Sequence, residues 1–205
     1  MRGIAPLRCS MRKTLLIAGI AVVLWIAWLL WPLTALNALV RAVQTRNVPA
    51  IAEQIDATAL RRALTDQLVE SYSRVTGANI NPGSLIVTFA SSAADPLVAK
   101  IVAPDGVAVL LNTGWVSAEI DERPLDVDGL SAQALGGAWQ VFLNSHRGFD
   151  RYSISFPHHK PKAERFQLEW RMRGPKWRLA SIRLPDRLAE RLVQQIVRVQ
   201  QQRGG

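Results

Sequence analysis

An uncharged apolar run over residues 15–33 constrains this chain more than any other feature. As a helix the run extends about 28 Å, close to the thickness of a bilayer's hydrocarbon core. Trp25, Trp28 and Trp31 lie in its second half, and such side chains are typical of the boundary between hydrocarbon and headgroups. Pro32 follows where a straight helix is expected to leave the lipid. The run therefore predicts a membrane-spanning helix.

Positive charge is placed unevenly around this run. The cations before it are Arg2, Arg8, Arg12 and Lys13, whereas Arg41 and Arg46 follow it. Because cytoplasmic flanks carry the excess of Lys and Arg, we expect a single-pass signal anchor with its C-terminal domain outside the cytoplasm. In a bacterium this is the inner membrane, with the domain in the periplasm. Arg12, Lys13 and the three tryptophans are the predicted membrane-interface residues.

Three alternatives stay open for the N-terminal region. A cleaved signal peptide also has a basic start and an apolar middle, although its apolar part is shorter and the residues near Thr34 fit a cleavage site poorly. A buried core helix is the second alternative. The third concerns the start itself, because Met11 begins a second typical opening.

The predicted organisation has four parts. Residues 1–14 form a basic segment, 15–33 the anchor, 34–199 a single domain and 200–205 a disordered tail. The domain is long enough for one compact core. Cys9 is the only cysteine and precedes the anchor, which excludes an internal disulfide and any cysteine-based metal site in the domain.

The first half of the domain shows helical signals. Leu36, Leu39 and Val43 continue the anchor with helical spacing. Asn47 and Asp56 are candidate N-caps of two further helices. The second is expected to end at Gly77. Its apolar stripe comprises Leu60, Leu64, Leu68, Tyr72 and Val75. A strand is expected over 85–89, and helix starts are expected at Asp95-Pro96 and Pro104-Asp105.

The second half changes to the two-residue period of half-buried strands. Apolar residues alternate with polar ones over residues 151–156, and again over 165–173. Gly174 and Pro175 form a turn into a partner strand, which has a one-residue phase slip near Ser181 that indicates a bulge. Pro185 and Asp186 start a last amphipathic helix. The predicted class is α+β: a transmembrane helix, a helical first half, a C-terminal antiparallel sheet and a terminal amphipathic helix.

Candidate catalytic and metal sites are weak. His146 and Asp150 form a candidate acid/base pair, yet they fall in a predicted loop and no strained nucleophile turn lies beside Ser145. His158 and His159 point to opposite faces of an extended chain, which disfavours a shared metal. The carboxylates of residues 121–128 lack the glycine-turned order of a calcium loop. No phosphate-binding glycine motif is present, so we expect no cofactor and no metal.

The net charge of +9 is concentrated near the two ends of the chain. A basic surface is predicted on the outer face of the C-terminal hairpin, and it comprises Arg165, Arg171, Arg173, Lys176 and Arg178. Such a surface suits anionic lipid or an acidic protein, and a domain outside the cytoplasm rarely meets nucleic acid. Trp170 and Trp177 fall on the apolar phase of their strands and are expected in the core.

Several short segments, taken in order, resemble the bacterial domain-of-unknown-function family 2939 (DUF2939). They are Trp31-Pro32-Leu33 before residues 39–46, IDATALR at 55–61, VAPDGV at 102–107, GFDRY at 148–152 and KWRLASIRLP at 176–185. The resemblance covers about residues 31–184 and implies an uncharacterised protein with an apolar N-terminal segment and no assigned catalytic residues. The architecture is also loosely similar to the nuclear transport factor 2-like cone, a likeness that does not decide function.

The leading hypothesis is a membrane-anchored extracytoplasmic module that binds a protein partner or a small apolar ligand without catalysis. The first alternative is a hydrolase or isomerase with an acid/base pocket near Asp150 and His146. The second alternative is a cytoplasmic-face binder of anionic lipid or nucleic acid, which requires the inverted topology.

Overall fold

A computed structural model describes residues 8–77, 95–115, 138–143, 145–157 and 159–203. Helix α1 covers Arg8–Gln44 as one uninterrupted element. Its side chains are mostly exposed from Leu15 to Trp31, whereas Leu36, Leu39 and Val43 are buried in the domain core. One helix therefore contains both the exposed apolar segment and a part of the domain core, which confirms the expected continuity between anchor and domain.

Pro32 lies inside α1, so the helix continues beyond the point where the sequence predicts that it leaves the lipid. A proline removes one backbone hydrogen bond of a helix, and the packing of the following turns in the core outweighs that loss. In the stretch Leu15–Gln44, α1 is long and apolar enough to cross a membrane by length and composition. The predicted boundary between residues 33 and 34 accordingly falls within a helix.

The next two helices begin and end where the sequence predicts. Helix α2 covers Val48–Gln54 and is capped by the Asn47 side chain. Helix α3 covers Ala57–Thr76, begins at the Asp56 cap and ends at Gly77, which adopts the left-handed conformation at φ 67°. Leu60, Leu64 and Leu68 of the predicted stripe are buried, whereas Val75, close to the helix end, is exposed.

Two short helices, α4 (Asp95–Val102) and α5 (Pro104–Thr113), meet at an angle of 79°. Both expected helix starts are confirmed. Val98, Ile101, Val107, Leu110 and Leu111 are buried in the core, so this bent pair packs within the domain. The strand predicted at 85–89 and the acidic loop at 121–128 lie outside the described residues.

A four-stranded antiparallel sheet follows helix α6 (Ala138–Leu143). Its strands, in spatial order, are β1 (His146–Arg147), β2 (Arg151–Phe156), β3 (Phe166–Arg173) and β4 (Lys176–Arg183). The loop predicted around His146 is wrong at that residue, because His146 and Arg147 pair with Ser153 and Tyr152 as an edge strand. A strand this short carries no periodicity that a sequence can display.

The β3–β4 hairpin confirms the predicted turn and bulge. Gly174 has φ 60° at the first position of the two-residue turn, where a side chain is disfavoured. The register shifts between Glu169 and Trp170, which pair with Ser181 and Leu179 and leave Ala180 as the extra residue. Trp170 and Trp177 are buried as expected.

Helix α7 (Asp186–Arg203) packs against α3 and is the predicted terminal helix. Its apolar side chains Leu188, Ala189, Leu192 and Val193 are buried. The helix continues past residue 199 to Arg203, inside the segment 200–205 that the sequence assigns to a tail. The intervening Gln and Arg residues favour helix, and neither Gly nor Pro interrupts them. The α+β class is confirmed, and its likeness to the nuclear transport factor 2-like cone is only loose.

Candidate functional site

The exposed apolar surface of α1 carries the predicted tryptophans. Trp25 is 62% exposed, whereas Trp28 is 37% exposed because the domain covers part of it. Phe149 provides that contact, and its ring centroid lies 6.0 Å from that of Trp28. Arg12 and Lys13 lie near the start of the same helix, at the opposite end of the apolar run. The tryptophans are thus at the end of the run that is next to the domain.

Two turns lie together at one end of the sheet, which we call the turn end. They are residues 148–150, between β1 and β2, and residues 174–175, between β3 and β4. The antiparallel register brings Arg151 opposite Arg171 and Arg171 opposite Arg178. Arg173 lies opposite Lys176 in the next row. We call these five residues the cationic rows; they occupy the outer face of the sheet, away from the core.

The predicted basic surface is therefore divided. Arg171, Arg173, Lys176 and Arg178 meet at the turn end, whereas Arg165 lies at the other end of the sheet beside the start of β3. Sequence reasoning did not include Arg151 in this surface. Its alternation with Tyr152 in β2 was a usable signal, but only the register shows that it faces Arg171.

Three of the five cationic residues have acidic partners. Arg171 Nε lies 2.8 Å from Glu169 Oε1, and Arg173 Nε lies 3.1 Å from Asp56 Oδ2. Arg151 has a looser contact of 3.9 Å with Asp150 between two largely exposed side chains. Within the described residues, Lys176 and Arg178 form no ion pair. The turn end thus carries five cations against three carboxylates.

A cleft of about 620 Å³ lies at the opposite end of the sheet. Ser155, Gln167 and Arg183, which form one row across β2, β3 and β4, contribute to its floor. The other lining residues are Leu143, His146, Lys162, Ala163, Arg165, Leu184 and Asp186. Cations dominate the charged groups of the lining.

Two of the charged residues that line this cleft form ion pairs with helix α3. Asp186 is the carboxylate of the lining, and it lies 3.6 Å from Arg74 of α3. Arg183 lies 3.7 Å from Glu70, also on α3. The lining as a whole is therefore suited to an anionic group.

The candidate acid/base pair is not assembled. His146 lines the cleft, whereas Asp150 lies in the β1–β2 turn, is exposed and contacts Arg151. Behind the sheet, Tyr152 is fully buried and its ring packs on Trp170, with centroids 5.8 Å apart. Burial raises the pKa of the Tyr152 phenol, and the neighbouring Ser145 and Arg147 side chains partly offset that rise. No acid/base site joins these groups to Asp150.

Metal binding has no geometric basis in the described part of the chain, where no three His, Cys, Asp or Glu side chains are grouped to hold an ion. His159 is described and exposed, whereas His158 lies outside the described residues. The acidic residues Asp121, Glu122, Asp126 and Asp128 also lie outside them.

Comparison with known families gives one result. Residues 21–110 match the DUF2939 family model. The description of that family is "Protein of unknown function", so it assigns no reaction. The DUF2939 match confirms the resemblance from the apolar run through α2, α3 and α4 into α5. The similarity noted for residues 148–152 and 176–185 stays a prediction. No curated protein and no solved structure matches the chain.

Proposed function

We propose that this chain is a single-pass membrane-anchored binding module, without catalytic activity, whose domain lies outside the cytoplasm in the periplasm of a bacterium. The observation that carries the proposal is the change in exposure along α1. Its side chains are mostly exposed over residues 15–31, whereas one face of the helix is buried from Pro32 onward. A soluble protein rarely exposes so large a contiguous apolar surface. Lipid around residues 15–33 removes that surface from water.

The orientation rests on charge. Arg2, Arg8, Arg12 and Lys13 precede the run, and the positive-inside rule places them in the cytoplasm. The domain after the run is then on the other side.

The binding role rests on the cleft at the far end of the sheet. Its polar and cationic lining favours an acidic segment of a protein partner over a small apolar ligand. Lys162 is exposed at the cleft and forms no ion pair within the described residues. The separation of His146 from Asp150 supports binding rather than acid/base catalysis.

Topology is tested with reporters fused after Gly205 of the full chain. We expect active alkaline phosphatase, a dark green fluorescent protein and a membrane fraction that resists alkaline carbonate. A bright fluorescent reporter with inactive phosphatase would reverse the orientation and favour the cytoplasmic-face alternative. Release of the intact chain by carbonate would contradict the anchor, and the mass of the mature protein identifies any cleavage.

The cleft is tested with a fluorescent oligoglutamate peptide titrated into the full-length protein in detergent. We expect Lys162→Glu to weaken binding about tenfold, because it replaces an attraction by a repulsion. Lys176→Glu makes the same charge change at the turn end and is the matched control. Equal binding of an oligolysine peptide, or a larger loss in Lys176→Glu, would contradict the proposed cleft.

A further inference from the structure

Phe149 has the highest exposed fraction of the large hydrophobic side chains in the described residues, at 81%. It lies at the tip of the β1–β2 turn, between Gly148 and Asp150. Exposure of a single apolar side chain is ordinary, but this ring contacts Trp28 of the apolar run. The contact places the tip of the turn beside the helix that we propose to span the bilayer.

The position of Trp28 along α1 indicates how deep Phe149 lies relative to the bilayer. Trp28 lies one helical turn before Pro32, which is the first buried residue of α1 counted from Leu15. The turn thus reaches past the point where α1 enters the domain and back along the exposed run. With the run in lipid, Phe149 lies at the depth of the interfacial tryptophans, where aromatic side chains are favoured.

The backbone holds this turn in place. The Gly148 amide donates to the Arg151 carbonyl at 2.7 Å, and the Met172 amide donates to the Asp150 carbonyl at 3.0 Å. The second bond ties the turn to β3. Phe149 is therefore presented by an ordered hairpin end, so its insertion requires little additional ordering of the backbone.

The cationic rows lie at the same end. Cations directly opposite one another on neighbouring strands repel, which is a cost to the isolated domain. Three carboxylates offset only part of this charge, and Nε of Arg178 is buried without an acceptor in the described part of the chain. Anionic headgroups supply the missing negative charge.

We propose that the turn end docks on the bilayer that α1 spans, with Phe149 inserted at the interface and the cationic rows bound to anionic lipid headgroups. The inference rests on the proposed function, because it requires α1 to be in the membrane. Charge complementarity and continuity with the apolar surface of α1 identify lipid as the occupant of this surface.

The test measures depth in vesicles reconstituted with the full-length chain. Cys9→Ser removes the only cysteine, and single cysteines at Asp150, Ile20 and Lys162 then carry an environment-sensitive fluorophore. Lipids with spin labels at defined depths quench a fluorophore that is close to them. We expect quenching at position 20 in the hydrocarbon and at position 150 near the headgroups, with none at position 162.

Two failures are distinguishable. Quenching at position 20 without quenching at 150 overturns the docking and leaves the anchor intact. The absence of quenching at position 20 overturns the anchor and the docking together. Quenching at 150 that rises with protein density in the vesicle indicates a second copy of the chain on this surface and also overturns the lipid proposal.

Substitutions separate the contribution of the Phe149 ring from that of the cationic rows. Phe149→Ser is expected to lower the ratio of docked to undocked domain about tenfold, since burial of an aromatic ring contributes on the order of that factor. Lys176→Glu is expected to lower it to a similar extent in vesicles with phosphatidylglycerol, and to have little effect in pure phosphatidylcholine. The matched control Lys162→Glu leaves it unchanged. An equal effect of Lys162→Glu, or no effect of Phe149→Ser, contradicts the proposal.

Discussion

Gln67 of α3 binds both backbone groups of Leu184, the residue that follows β4. Its Nε2 donates to the Leu184 carbonyl at 2.7 Å, and its Oε1 accepts from the Leu184 amide at 2.9 Å. Both residues are buried. The chain leaves the sheet here to enter α7. No described strand pairs with Leu184, and one side chain provides the hydrogen bonds that a neighbouring strand would otherwise make.

Replacement of that side chain is expected to be costly. Gln67→Leu leaves a buried amide and a buried carbonyl of Leu184 without partners, and we expect a loss of about 3 kcal/mol in the free energy of unfolding. Denaturant titration of the full-length protein in detergent measures it. Gln194→Leu, the same change at an exposed position of α7, should stay within about 0.5 kcal/mol. Equal losses in the two variants would contradict this role.

Asp56 joins the start of α3 to the turn end of the sheet. Its Oδ1 accepts from the Ala59 amide at 3.1 Å, and its Oδ2 pairs with Arg173. Asp56→Ala removes both contacts, and we expect a loss of about 1.5 kcal/mol. Asp56→Asn retains the cap and should lose about 0.5 kcal/mol or less, since the ion pair is partly exposed. Thermal unfolding of both variants checks the order, and an equal loss would assign the effect to the ion pair.

Gly106 permits the sharp bend between α4 and α5. A Cβ at this position would collide with the Lys100 carbonyl oxygen and lie 2.9 Å from that of Ile101. Because backbone atoms cannot move aside easily, Gly106→Ala is expected to destabilise the domain by about 2 kcal/mol. Gly19→Ala meets nothing within 4 Å and is the matched control. A stability curve for Gly106→Ala that overlays the control would show that the bend relaxes freely.

The raised pKa of Tyr152 predicts a change of stability at alkaline pH. The unfolded chain ionises this phenol near the ordinary pKa of 10.0, whereas the folded protein keeps it protonated to higher pH. The contribution is therefore fully present below pH 10.0 and is lost as the pH rises from there toward the raised value. Tyr152→Phe should flatten this decline in denaturant titrations at increasing pH. Tyr72→Phe, which replaces the second tyrosine, is the control, and an identical flattening would contradict the assignment.

Local signals explain why much of the fold was predictable. The caps at Asn47 and Asp56, the stop at Gly77 and the turn at Gly174 act on neighbouring backbone groups, so their residue types reveal them. The slip near Ser181 was visible because one inserted residue reverses the apolar phase of a strand. Each of these features depends on a few adjacent residues.

The candidate site was predictable only in part, because it depends on register and on distant contacts. The sequence grouped Arg165 with Arg171, although the sheet places them at opposite ends. Phe149 had no periodic pattern that distinguished it from any other turn residue, and its contact with Trp28 joins elements far apart in the chain. The cleft combines β2, β3, β4 and the start of α7, which no short motif encodes.

The continuity of α1 also fixes the position of the domain relative to the apolar segment. A flexible linker would let a tethered domain change its orientation freely. Here the apolar segment and the domain share one helix, so a change in the tilt of that helix tilts the domain as well. Strand β3, with 8 residues, separates the two ends of the sheet by about 26 Å. With α1 in the bilayer as proposed, the cleft is held at a nearly constant distance from the lipid, and a partner has to reach that distance to bind there.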